Sequence, residues 1–105
     1  MVGSIAIDQV GTAVIALSNG NYVVRSANWD NGATVNAGAV TWGSGTTGLS
    51  GFVSSANSLV GSTTSDFAFG DVIALGNGNY VVLNPEWDNG AATNAGAVTW
   101  GSGTA

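Results

Sequence analysis

The apolar positions of this chain come in short runs separated by turn signals. Residues 14–17, Val-Ile-Ala-Leu, form an apolar and largely β-branched run. Asn19-Gly20 follows, then Tyr22, Val23 and Val24. An Asn-Gly pair between two such runs predicts a β-hairpin, because both residues tolerate the positive φ of a tight turn. Trp29-Asp30-Asn31-Gly32 is a second turn signal, in which Asp bonds backbone N–H groups ahead of it and Asn and Gly accept left-handed geometry. Residues 38–43 predict a third strand, with Val40 and Trp42 on one face and Ala39 and Thr41 on the other. Residues 50–60 predict a fourth. No stretch shows a 3.6-residue period, and the abundance of Gly and β-branched residues argues against helix.

The same succession returns 58 positions later, Val14 matching Val72, Trp29 matching Trp87 and Trp42 matching Trp100. Residues 2–47 and 60–105 share 30 identities over 46 positions. Residues 2–59 read as one repeat and 60–105 as a second, truncated by about one strand. Near the start, Ile5, Ala6 and Ile7 stand where the second repeat has Thr63, Thr64 and Ser65. The apolar version predicts an extra N-terminal strand. Gly3–Val10, from the same or a neighbouring chain, is expected to complete the truncated repeat.

The strands show little polar alternation. Val14 and Ala16 face one way and Ile15 and Leu17 the other, and both pairs are apolar. Strands buried on both faces, four antiparallel per 58-residue repeat, predict an all-β chain of β-propeller blades. Two blades cannot close a ring, and exposed apolar faces are rare on soluble monomers. The expectation is a ring closed by homo-oligomerisation, three chains giving six blades or four giving eight. A β-solenoid or a simple sandwich is the rival, but parallel coils give the recurrent Asn-Gly hairpin no role.

Composition sharpens this. Charged residues are 7% of the chain against roughly 25% in typical domains. Hydrophobic residues are at an ordinary 45%, so the chain is expected to fold, with much of its surface covered by neighbours. The net charge is −5, with Arg25 the one basic side chain. That excludes nucleic-acid binding, which needs clustered Lys and Arg, and attraction to anionic membranes. No apolar run reaches the roughly 20 residues of a membrane span, so no membrane insertion is expected. No signal peptide is read at Met1. With no cysteine and no histidine, disulfides, thiolate sites and the commonest general base are ruled out.

The succession NGNYVV, WDNGA and NAGAVTWGSGT, followed by NSLVGS and an Asp, resembles a tandem repeat of very large bacterial surface proteins of filamentous-haemagglutinin-like or adhesin-like type. The resemblance covers nearly the whole chain. It implies an exported, cell-surface setting for the parent protein and a role in adhesion or display, and it supplies no catalytic residues. With two repeats instead of many, the chain looks like an excised or engineered piece.

Candidate chemistry is sparse. Trp29, Asp30 and Asn31, repeated as Trp87, Asp88 and Asn89, are the candidate ligand-binding residues. An aromatic ring beside Asp and Asn can stack on a sugar and take its hydroxyls, so a lectin-like module with one weak glycan site per repeat is the alternative function. The preferred local reading is that Trp anchors the blade and Asp-Asn-Gly makes the turn. Trp42 and Trp100 read as core, and Tyr22 and Tyr80 as packed with their hydroxyls bonded. Calcium takes roughly six to eight oxygens, and Asp8, Asp66 and Asp71 are too scattered to supply them, so no metal or other cofactor is expected. Asp8 and Asp66 read as turn holders. Asp30 and Glu86 could be imagined as a glycosidase pair, but the first repeat has Asn28 where Glu86 stands. Without a base to activate Ser or Thr, an enzyme is not expected.

Overall fold

Each Asn-Gly signal forms its hairpin. In the computed structural model, which describes residues 1–66 and 70–104, β1 (Ala13–Ala16) pairs antiparallel with β2 (Tyr22–Ser26). The Leu17 N–H bonds the Asn21 carbonyl at 2.9 Å, and the Gly20 N–H the Leu17 carbonyl at 3.2 Å. Only Gly20 takes positive φ, at 89°, so the connection is a three-residue loop closing on a left-handed glycine and not a two-residue turn. Asn19 instead bonds forward, its Oδ1 accepting the Asn21 N–H at 3.1 Å.

β3 (Ala39–Gly43) adds to β2, and β4 (Ser58–Val60) adds to β3, giving a four-stranded meander. The second repeat forms β5 (Asp71–Ala74), β6 (Tyr80–Asn84) and β7 (Ala97–Gly101) in a separate three-stranded sheet. Its register is that of the first: Val23 opposes Trp42, and Val81 opposes Trp100. All-β architecture with two small antiparallel sheets is therefore the fold.

Trp100, read as core, is 61% exposed, and two strand expectations also fail. Residues 50–57 are not strand; Asn57 instead closes a turn, its Oδ1 accepting the Ser54 N–H at 3.0 Å, and only three residues remain to pair with β3. The N-terminal segment is not a strand either. Residues 4–7 turn around Asp8, whose Oδ2 accepts the Ser4 and Ile5 N–H groups, both at 2.9 Å. Ile5 and Ile7 point outward and are exposed. A buried carboxylate that satisfies two backbone donors decides the local geometry, and three apolar side chains do not override it. Val2 forms a parallel bridge to Phe52, so within the chain this segment adds to the first repeat and not to β7.

The register puts Ile15, Val23, Val40 and Trp42 on one face of the first sheet, its front, and Val14, Val24 and Thr41 on its back. In the second sheet the front carries Ile73, Val81, Val98 and Trp100, and the back Val72, Tyr80 and Val82. The main core joins Leu17, Val23 and Val40 to Val72, Tyr80 and Val82, with Ile15 and Trp42 packed against it. The front of the first sheet thus meets the back of the second. A smaller core gathers Trp29, Ala39 and Val53, with Met1, Val10 and Val60 against it.

Candidate functional site

The Trp-Asp-Asn turns come first. Trp29 is buried, 5% exposed, in the smaller core, and its indole Nε1 has no hydrogen-bond partner among the described residues. The Asp30 N–H donates to Asp8 Oδ1 at 3.0 Å, and Asp30 Oδ1 accepts the Asn36 N–H at 2.8 Å. Asn31 donates its Nδ2 to the Gly61 carbonyl at 3.0 Å, and its backbone pairs both ways with Thr34 at 2.9 Å. In the second repeat Trp87 and Asp88 are half-buried and Asn89 is exposed. Asp88 Oδ1 accepts the Asn94 N–H at 2.9 Å, the counterpart of the Asp30 bond. A sugar-stacking platform needs a bare ring face, and Trp29 offers none. In the first turn the side chains of Asp30 and Asn31 hold backbone groups, and in the second the side chain of Asp88 does.

Asp8 and Asp66 extend these turns into staples. Asp66 lies in the crossover between the two sheets and is 1% exposed. Its Oδ2 accepts the Ser62 N–H at 2.8 Å and the Thr63 N–H at 2.9 Å, and its Oδ1 accepts the Thr63 hydroxyl and, at 3.4 Å, the Asp88 N–H. Burial pushes this carboxyl's pKa up, but the hydroxyl and amide donors outweigh burial and the net shift is downward. One carboxylate thus ties the entry of the second repeat to that repeat's own turn, as Asp8 does in the first. Asp71 stands apart, exposed, its Oδ1 taking its neighbour's N–H at 2.8 Å. Among the described residues no three His, Cys, Asp or Glu side chains gather where a metal could sit.

The densest polar construction is elsewhere, at the seam between the sheets. The Gly103 carbonyl receives three donors: Asn19 Nδ2, Asn21 Nδ2 and Trp42 Nε1, each at 2.8 Å. All three belong to the first repeat and the acceptor to the second. Two of the donors are oriented by their own turns. Asn21 Oδ1 accepts the Gly45 N–H at 2.9 Å, just as Asn79 Oδ1 accepts the Gly103 N–H at 2.9 Å. Ser18 Oγ reaches the Gly76 carbonyl at 3.3 Å. Close approach demands glycine here: a Cβ on Gly103 would lie 1.6 Å from the Gly78 carbonyl oxygen, and one on Gly45 1.7 Å from that of Gly20. Reading the sequence for ligand chemistry misses this cluster, since Asn and Gly look like turn residues only. The available signal was that Asn19, Asn21, Trp42 and Gly45 each recur unchanged at Asn77, Asn79, Trp100 and Gly103.

No curated protein and no solved structure matches the chain. A family model does match it, over residues 16–69 and again over 74–105, so that most of the chain is covered by two successive copies. The chain belongs to the family described as a repeat of unknown function, DUF5650.

Proposed function

We propose that the chain is a structural repeat module that self-assembles, its sheets stacking front to back into a closed propeller of three or four chains. Each sheet is one blade. The observation that carries this reading is the unequal cover of equivalent surfaces. Val72, on the back of the second sheet, is 6% exposed beneath the first sheet, while its counterpart Val14 is 65% exposed. On the open front of the second sheet Val98 is 71% exposed and Trp100 61%. The chain therefore ends in one open front and one partly open back, and the two kinds of face already fit each other once. A contact between unlike faces repeats from copy to copy and closes into a ring when the rotation allows. Burying apolar surface of this kind drives association. In a parent protein of adhesin-like type, as the sequence resemblance implies, such stacks would serve display or adhesion at the cell surface, without catalysis.

Light scattering on a sizing column tests the reading. One sharp mass of three or four chains is expected. A monomer, or a ladder of sizes running up to fibres, would overturn the closed ring.

A further inference from the structure

We propose that the carbonyl of Gly45 is the polar docking point between copies, taking the amide donors of Asn77 and Asn79 and the indole N–H of Trp100 from a second copy of this chain. The inference rests on the stacking proposed above and specifies the hydrogen bonds that set its register.

The knot at Gly103 is the template. Its three donors come from Asn19, Asn21 and Trp42. A shift of 58 positions turns these into Asn77, Asn79 and Trp100, and the reverse shift turns Gly103 into Gly45. The copied donors are held as the originals are. Asn77 Oδ1 accepts the Asn79 N–H at 3.1 Å, matching Asn19 with Asn21. Asn79 Oδ1 accepts the Gly103 N–H, matching Asn21 with Gly45. Both amides therefore have their oxygens committed within the repeat and their Nδ2 groups left to donate. Among the described residues Asn77 Nδ2, Asn79 Nδ2 and Trp100 Nε1 meet no acceptor, and the Gly45 carbonyl meets no donor. Trp100 and Gly45 are exposed, so neither has to be uncovered before binding. Groups fixed in their bound geometry lose little freedom on association, which favours the contact.

The occupant is a second copy because the apolar surroundings also match. In the internal seam, Trp42 and Val40 pack with Val72, Tyr80 and Val82. The open front offers Trp100 and Val98 in the same places, and the partly open back offers Val14 and Tyr22 where the internal seam has Val72 and Tyr80, with Val24, the counterpart of Val82, already buried. None of the groups in the docking point itself is charged, while Asp71 stands on the same front face where the first sheet has Ala13. Of the hydrogen bonds across the seam, one is lost. Gly76 stands where the first repeat has Ser18, so the hydroxyl bond to the neighbouring turn is not reproduced. The seam between copies should open before the seam within a chain.

The test compares the full chain with Trp100→Phe and Asn77→Asp by sedimentation across a dilution series. Trp100→Phe keeps the ring and removes its N–H. Asn77→Asp keeps the oxygen that caps the turn and replaces the donor by a carboxylate facing a carbonyl. The expected result is normal strand content and melting for both, with assembly weakened about tenfold or more. If the wild-type chain assembles and both variants assemble like it, the Gly45 docking point is wrong while the stacking survives. If the wild-type chain stays monomeric at all concentrations, both fall. Indole hydrogen exchange on the unaltered protein gives an independent reading: the Trp100 N–H should be protected in the assembly, and exchange at the rate of a solvent-exposed indole would overturn the proposal.

Discussion

The two repeats share their strand register and differ in what covers them. Val40 is 2% exposed and Val98, at the same place in an identical Ala-Val-Thr-Trp-Gly strand, is 71%. Trp29 is buried and Trp87 only half so. β3 is flanked by β4 along its outer edge, whereas β7 pairs only with β6 among the described residues, and an apolar cavity of about 540 Å³ opens over one end of its sheet, lined by Asp71, Leu83, Pro85, Gly96 and Val98 among others. Local sequence thus determines the hairpins, and the neighbours determine the core. A strand whose two faces are both apolar is not finished until both are packed, and in this chain only the first repeat comes close.

The largest effect is expected at the crossover between the sheets. Asp66→Ala strips the acceptor from two backbone amides and a hydroxyl and frees the Asp88 turn. It is expected to cost on the order of 3 kcal/mol in urea unfolding, more than Asp8→Ala, since Asp8 also holds two amides and the Asp30 N–H but receives no hydroxyl among the described residues. The same group gives an acid limb. Its folded pKa lies below its unfolded value, so its stabilisation is present above the unfolded carboxylate value and is lost as pH falls through the folded one. Stability should begin to drop below about pH 4 and keep dropping in more acid solution, and Asp66→Asn should flatten that limb.

A smaller difference separates the matched valines. Val40→Ala removes buried methyls from the main core and should cost about 2 kcal/mol. Val98→Ala should change monomer stability by no more than about 0.5 kcal/mol. Thermal melting of the two at high dilution checks this. Equal losses would mean that Val98 is packed within the monomer and that the repeats are not distinguished by cover.

The smallest effect is expected at the loop where the repeats converge despite different sequences. Ile7 has φ of 67° and its counterpart Ser65 66°. A β-branched residue is strained there, and Ile7→Asn should raise stability by up to about 1 kcal/mol in the same melts. No gain would show that the exposed Ile7 side chain contributes packing that offsets its backbone.

Much of the fold was legible in the sequence. Asn19-Gly20 and Asn77-Gly78 announced both hairpins, and residues 38–43 placed β3 to within one position. The failures share a cause. Ile5–Ile7 look like strand by side chain, but Asp8 offers the backbone a better set of partners. Residues 50–57 look like strand by composition, but Asn57 turns the chain first. In the Trp-Asp-Asn turns, the side chains of Asp30, Asn31 and Asp88 bond the protein's own backbone. The seam at Gly103 was not legible. Its donors are ordinary turn residues, and only the packing of one sheet on the other brings Asn19 to an acceptor 84 residues away.

Gly103 also lies where β7 runs out towards the end of the described chain. A pull applied there acts on more than the edge strand β7. It loads the Gly103 carbonyl and, through Asn19, Asn21 and Trp42, the hairpin tip and third strand of the other repeat. Tension entering one sheet there also loads its neighbour, through the three bonds that share the Gly103 carbonyl. A string of such repeats would distribute a mechanical load along its length, each glycine carbonyl acting as a coupling between one unit and the next.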